Sequence, residues 1–454
     1  ACDVPIYLYE MSWAKRTNWT ELLPLQPEIQ SYLDDITHQY GLYRHIQFAT
    51  QLVEARWLED EKMWALKMRN SSPTAPEDAF FTVKHHVVVM ACGPLSQPRM
   101  PEGIDASVFQ GEQFHSQQWQ HDTVFEGKNV AVVGNGCSAT QFMPIISRRC
   151  KSVTQYVSSP HWLVPRNNPL YTEWQKWIFQ NIPGAATLHR YQIAWLFEKE
   201  GYKLRGGSGP AKVRQQVEGY LKAHLEAHAP KKYVKQLTPN FPVGCKRLVL
   251  DSNYLDCLHA DNIDLAFTRV SEVTESGLVG KDGSRRDYDI IIWATGFLAT
   301  MPFNGIKLYG RDGQELHDRW EEEGGPRAYA GVATKGFPNL YMTTGPNTFS
   351  GHTSITQIIE KQAMWIAQTL KLQLDNKVQT FEITPQAEKQ WSDFLRERMS
   401  GMVWTSSACN SWFKTKDGFI PTNFPGSTML VSRTNLYEIL DKGQFCFPHS
   451  CIRS

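Results

Sequence analysis

The sequence lacks several features that would have narrowed its class at once. Its 47 Lys and Arg against 46 Asp and Glu leave a net charge of only +1, so no basic field points to nucleic acid. Nine cysteines are scattered without a CxxC pair, an odd number that argues against a disulfide framework or a zinc site and fits a reducing compartment, with a cytoplasmic location expected. No apolar run reaches the length of a membrane span, and neither a signal peptide nor a repeat of solenoid period is visible. The chain opens ACDVPIYLYE, without an initiator Met.

What is present describes a large globular chain. At 454 residues it can bury two or three cores, and 41% hydrophobic with 20% charged residues excludes disorder. Buried strands are expected at 85–93, 129–133, 152–157, 289–297 and 339–347, alternating with helical sequence, which means parallel α/β layers. Residues 168–240 change to Trp-, Gln- and Lys-rich helical texture and read as an insertion; 385–400 reads as an exposed amphipathic helix. Within the insertion, EWQKWIFQNI (173–182) suits a bundle helix better than a membrane contact.

NVAVVGNGCSAT (129–140) carries the clearest chemistry. Gly134 permits a tight turn, Gly136 lets a pyrophosphate approach the backbone, and Ala139 replaces the third glycine where helix packs on strand. The N–H groups of the new helix, Ser138 among them, would then hold phosphates. An ordinary strand–turn–helix junction would read alike, but strand, turn and helix signals all occur here. The next strand ends in Ser158 and Ser159 with no acid to take ribose hydroxyls, which favours NADPH over NADH by absence; Arg148, Arg149 and Lys246 are candidates for the extra phosphate.

Residues 109–120, FQGEQFHSQQWQ, fit the pattern FxGxxxHxxxW[P/D] through Phe109, Gly111, His115 and Trp119, with Gln120 departing at the last position. CDVPIYLY, ACGPLSQPRMP (91–101), FPVGCKR (241–247), IIWATGF (291–297), GPNTFSGHTS (345–354) and CNSWF…NFPGST (409–428) follow in family order. The chain thereby resembles the class B flavoprotein monooxygenases of the Baeyer–Villiger type, with a flavour of fungal natural-product enzymes in its last motifs.

The resemblance implies two Rossmann-like domains, for FAD and NADPH, with the helical insertion between. Residues 1–126 would begin the FAD domain, 127–288 would form the NADPH domain, and 289–454 would return to the FAD domain and close the substrate side. It implies that NADPH and O2 oxidise a small-molecule ketone to an ester or lactone in secondary metabolism. Arg247 would stabilise the flavin peroxide and the tetrahedral intermediate, Asp3 would stand beside Arg247, Lys246 would contact the extra phosphate, and Gly345 and Pro346 would line the flavin. His115 and Trp119 would organise the linker between domains; read without the family, they are a buried histidine and a core tryptophan. Arg247 alone would read as a salt bridge at a strand end. Ser158 stands where the family commonly has an Arg, which weakens the expected NADPH preference. The family's first βαβ unit, with its FAD glycine turn, has no counterpart in this sequence, so 1–454 alone is expected not to retain FAD. Heteroatom N- or S-oxygenation and a flavin-deficient, non-catalytic remnant are the alternatives; Trp119 argues against the first.

Overall fold

A computed structural model describes residues 2–415, 417–427 and the short strand 445–446. Its organising layer is a five-stranded, all-parallel sheet. The strands are β1 (Glu112–His115), β2 (Asn129–Val133), β3 (Ser152–Tyr156), β4 (Ile263–Ala266) and β5 (Ile290–Trp293), in spatial order β4-β3-β2-β5-β1. β2 and β5 are apolar at nearly every position because both faces are covered. One face packs on helix α1 (Cys137–Ile146) and the helices of the insertion, through Ala139, Met143, Leu225 and Tyr233. The other holds Phe109, Tyr156, Tyr288 and Trp293. The sheet draws β1 and β5 from outside 127–288, so it is wider than the expected NADPH-domain limits: the connector itself supplies the edge strand.

A second, smaller parallel pair joins Val88–Met90 to Leu340–Met342. The expected strand at 85–93 is thus split, with Phe80–His85 pairing elsewhere in a four-stranded sheet beside Met63–Asn70 and Thr50–Leu58. That hairpin was not anticipated, since its alternation is broken by a bulge at Leu52/Glu54. The insertion is helical as expected, with helices Glu173–Asn181, Ala185–Glu200, Ser208–His228 and Lys231–Leu237. Glu173–Asn181 packs on its neighbours through Phe179, against Tyr7, Tyr171 and His189, while Trp174 and Trp177 stack on one another on its outer side, 65% and 48% exposed. Pro385–Ser400 is the amphipathic helix expected, capped by Thr384. Among the described residues no helix is long and apolar enough to cross a membrane.

The expectation of no disulfide framework needs one correction. Cys245 and Cys409, 164 residues apart, are joined, with Cα atoms 5.0 Å apart. Sequence spacing could not show a pair that meets only through tertiary packing, and cysteine usage therefore no longer argues for a reducing compartment.

At the entrance to β1, Gly111 lies under the Phe109 ring: an added Cβ would stand 2.5 Å from that ring and 2.7 Å from the Asp289 carbonyl. Near the N-terminus, Glu10 is buried and accepts hydrogen bonds from Trp19 Nε1 and the Arg16 N–H, while its Oε1 has no partner. Burial pushes its carboxyl up to about 7, against those bonds and the charges of Arg190 and Lys15.

Gly111→Ala is expected to destabilise the fold by about 1–3 kcal/mol in urea titration, because the new methyl overpacks against backbone as well as ring. Glu10 binds its proton more tightly folded than unfolded, so its contribution to stability is present below the usual carboxylate pKa and lost as pH rises through about 7. Glu10→Gln keeps an acceptor and should therefore be more stable than the parent at pH 8, by about 1–3 kcal/mol, and close to it at pH 5; equal melting temperatures at pH 8 would refute this.

Candidate active site

β2 delivers the glycine turn at the carboxyl edge of the sheet, between β3 and β5, where a parallel sheet leaves a crevice. Gly134 has φ +114°, and a Cβ there would stand 2.3 Å from the Ala294 carbonyl, so no other residue fits. Gly136 has nothing within 4 Å of where a Cβ would project, leaving its face open. It opens α1 without a side-chain cap, so the first-turn N–H groups through Ser138 and Ala139 keep their donor capacity. Ser138 is exposed and Ala139 fully buried against the sheet. The turn is tied to the end of β3: Gln155 Nε2 donates to the Gly134 carbonyl (2.9 Å) and Tyr254 OH to Gln155 Oε1 (2.7 Å).

Beyond β3 three polar groups converge. Asn135 Nδ2 donates to the Ser159 carbonyl (3.0 Å) and Lys246 Nζ to Ser159 Oγ (2.8 Å), with the ammonium also over the Phe241 ring. Burial, then the charge of Arg269, lowers the Lys246 pKa. His161, overlooked in the sequence, has a buried Nδ1 without a partner; burial and the nearby Lys246 charge push its pKa down to about 4, so it is neutral. A desolvated cation beside an unused imidazole nitrogen suits an added phosphate group. Arg148 and Arg149 do not belong here. They follow the far end of α1, about 15 Å along the helix, and Arg149 pairs with Glu126 at 2.7 Å.

Arg247, next in the chain, turns the other way. Its guanidinium holds Asp3 Oδ2 at 2.5 Å, and Tyr9 OH donates to Asp3 Oδ1 at 3.1 Å. Burial opposes the Arg247 charge, but Asp3, with Tyr9 and Cys137, outweighs it and raises the pKa. Burial raises the pKa of the Cys137 thiol, with the Arg247 charge opposing it and the Asp3 charge adding to it.

The fingerprint residues have packing roles in this geometry. Phe109 is buried over Gly111. His115 ends β1, buried, with Nδ1 accepting from the Gln117 N–H (3.1 Å) and its ring edge-on to Phe297; burial lowers its pKa. Trp119 packs among Phe114, Phe125 and Phe142. Gly345 and Pro346 lie in a buried turn flanked by Thr344 and Asn347, both at φ 56°; Asn347 Nδ2 holds the turn by donating to the Ile420 and Asn423 carbonyls. Left-handed backbone at two non-glycine residues is strain of the kind found at ligand walls. His352 Nε2 reaches Glu198 of the insertion at 3.3 Å.

Similarity to known proteins gives the family and the fold. Residues 18–184 match a family described as flavin-binding monooxygenase-like. The chain is 32% identical over 414 residues to a Baeyer–Villiger monooxygenase of Pseudomonas aeruginosa, covering 91% of this chain and 76% of that one. This chain belongs to the Baeyer–Villiger monooxygenase family. It is also 31% identical over 454 residues to the FAD-binding monooxygenase ktnD of Aspergillus niger, covering 98% of this chain and 74% of that one. In fold it superposes on a cyclohexanone monooxygenase from Rhodococcus sp. Phi1 bound to NADP+, with TM-score 0.83, 23% identity and coverage of 98% and 89%.

For the dinucleotide, the residues present fit: an open glycine turn, an uncapped helix and a cation with spare donors. For the flavin, they offer the buried, strained turn at 344–348 and the Asp3–Arg247 pair; among the described residues 134–139 is the only glycine-turn signature of this kind.

Ser158 is exposed at the end of β3, next to Ser159. Ser158→Arg is expected to raise the NADP+ over NAD+ affinity ratio about tenfold, since a guanidinium grips phosphate with two parallel bonds; an unchanged ratio by calorimetry would place the phosphate elsewhere.

Proposed function

We propose that this protein is an FAD- and NADPH-dependent monooxygenase that inserts one oxygen of O2 beside the carbonyl of a small-molecule ketone, giving an ester or lactone, in secondary metabolism. The observation that carries the reading is Arg247, held by Asp3. When bound, NADPH supplies two electrons and FAD the activation of O2.

The remaining work falls to this chain's own side chains. Negative charge develops on oxygen during such an insertion, and a guanidinium stabilises it without surrendering its own proton. The raised Arg247 pKa keeps it charged throughout. Asp3 orients the guanidinium, and Tyr9, by occupying Oδ1, keeps the carboxylate from rotating away. Lys246 and Ser159, with the neutral His161, would hold the extra phosphate of NADPH, and Gly134, Gly136, Ser138 and Ala139 its pyrophosphate. Gly345 and Pro346 would line the flavin ring. Phe109, Gly111, His115 and Trp119 would fix the connector, packing the strand that joins the domains.

A cavity of about 520 Å³ supports the substrate assignment. Leu204, Met402, Trp404 and Phe424 give it apolar walls, while Glu198, Arg205, His352 and Arg398 give it charged and polar ones. Trp404 Nε1 donates to the Gly244 carbonyl at 2.9 Å, so this wall touches the loop that carries Arg247. A cavity of this volume can take a small-molecule ketone.

In flavin-loaded protein, Arg247→Ala should lower ester formation by about 100-fold or more, while anaerobic flavin reduction by NADPH, followed by stopped flow, stays within a few-fold of the parent. Ester formation at the parental rate would remove Arg247 from the chemistry. A protein that turns a thioether into sulfoxide but leaves every ketone intact would overturn the reading as a whole.

A further inference from the structure

We propose that the Cys245–Cys409 disulfide is a positioning element: it clamps the loop that presents Lys246 and Arg247 to the wall of the substrate cavity. The proposal rests on the roles given above to those two residues. Cys245 immediately precedes them, and both cysteines are buried, 0% and 3% exposed. The loop lies between the helix Lys231–Leu237 and the strand Val249–Asp251 and has little regular structure of its own. Phe241, Val243 and Cys245 pack into a core with Trp162, Leu204 and Leu221, and Trp162 Nε1 donates to the Phe241 carbonyl (2.9 Å). Val243 N–H donates to Glu218 Oε1 (2.9 Å) and Cys245 N–H to the Pro242 carbonyl (3.2 Å). The segment 403–413 supplies two more, the Trp404 bond to the Gly244 carbonyl and the disulfide itself.

Past Cys245 the two side chains diverge, Lys246 to Ser159 and Arg247 to Asp3. A shift of the Cys245 backbone therefore disturbs dinucleotide and oxygen-side contacts together. Trp404, five residues before Cys409, lines the cavity, so the same clamp ties cavity wall to cation. Opening it is a two-electron step. A dithiol attacks one Sγ, the S–S bond breaks, and Cys245 and Cys409 gain two protons as thiols while the dithiol leaves as a cyclic disulfide. Oxidised glutathione reverses it, leaving as two thiols.

The test begins with peptide mapping of the full chain, alkylated at lysis: linked Cys245 and Cys409 peptides are expected, and two alkylated thiols would overturn the proposal. Flavin-loaded Cys409→Ala and the parent are then compared for NADP+ and NAD+ affinity, ketone turnover and hydrogen exchange at 243–250. The variant should lose about fivefold or more of the NADP+ over NAD+ ratio. Its kcat should fall about tenfold with the ketone KM within about twofold of the parent, and exchange at 243–250 should quicken. A lower melting temperature with the ratio and kcat unchanged would mark the bond as merely structural and sink the proposal. If Cys409→Ala does not fold, the parent is compared before and after dithiothreitol, at a concentration at which alkylation shows both thiols free, and again after oxidised glutathione; loss and recovery of the ratio support the clamp, and an unchanged ratio in the verified dithiol form overturns it. A disulfide-intact parent that does not prefer NADP+ or does not convert a ketone refutes the roles of Lys246 and Arg247 themselves, a result distinct from failure of the clamp.

Discussion

A guanidinium held in place by a carboxylate from 244 residues away is the constraint on which the rest of this structure turns. Arg247 sits at a boundary shared by three parts of the chain: the N-terminal segment with Asp3 and Tyr9, the 241–248 loop, and the 403–413 segment behind it. A flexible arginine in water would be a poor electrostatic catalyst, because water screens it and its side chain samples many rotamers. Partial burial removes much of that screening, and the Asp3 contacts restrict rotation. Burial alone would lower the pKa; the nearby carboxylate reverses the sign, so charge and position come from one interaction.

The dinucleotide turn shows the opposite strategy, in which side chains are removed instead of added. Gly134 and Gly111 are glycines because a neighbouring backbone carbonyl occupies the Cβ position, from Ala294 in one case and Asp289 in the other. Both carbonyls lie at the ends of β5, Asp289 just before it and Ala294 just after. The strand that returns from the long excursion through the insertion thus packs against both glycines. Gly136 differs, being open toward the crevice and not crowded. The same residue type answers two separate demands within three positions.

The insertion connects these local devices to the cavity. Leu204 and Glu198 reach inward from it, Glu198 pairing with His352 of the 345–354 loop, while its first helix keeps Trp174 and Trp177 outward. It is therefore both a wall of the cavity and an aromatic outer surface.

Sequence alone determined the parts governed by neighbours in the chain. The β2–turn–α1 unit, the helical character of 168–240 and the helix 385–400 were legible because hydrophobic period, glycine placement and capping are local properties. Family order of motifs singled out Arg247, Asp3 and Lys246. Only tertiary structure joined Arg247 to Asp3, paired Cys245 with Cys409, brought the unpartnered His161 nitrogen beside Lys246, and moved Arg148 and Arg149 away from the phosphate end of α1. The hairpin 50–70 escaped notice because its bulge interrupts the two-residue period. The common reason is that a sequence fixes each residue's chemistry and its near neighbours, whereas contacts across 160 to 250 positions exist only once sheets and helices have packed and excluded the alternatives.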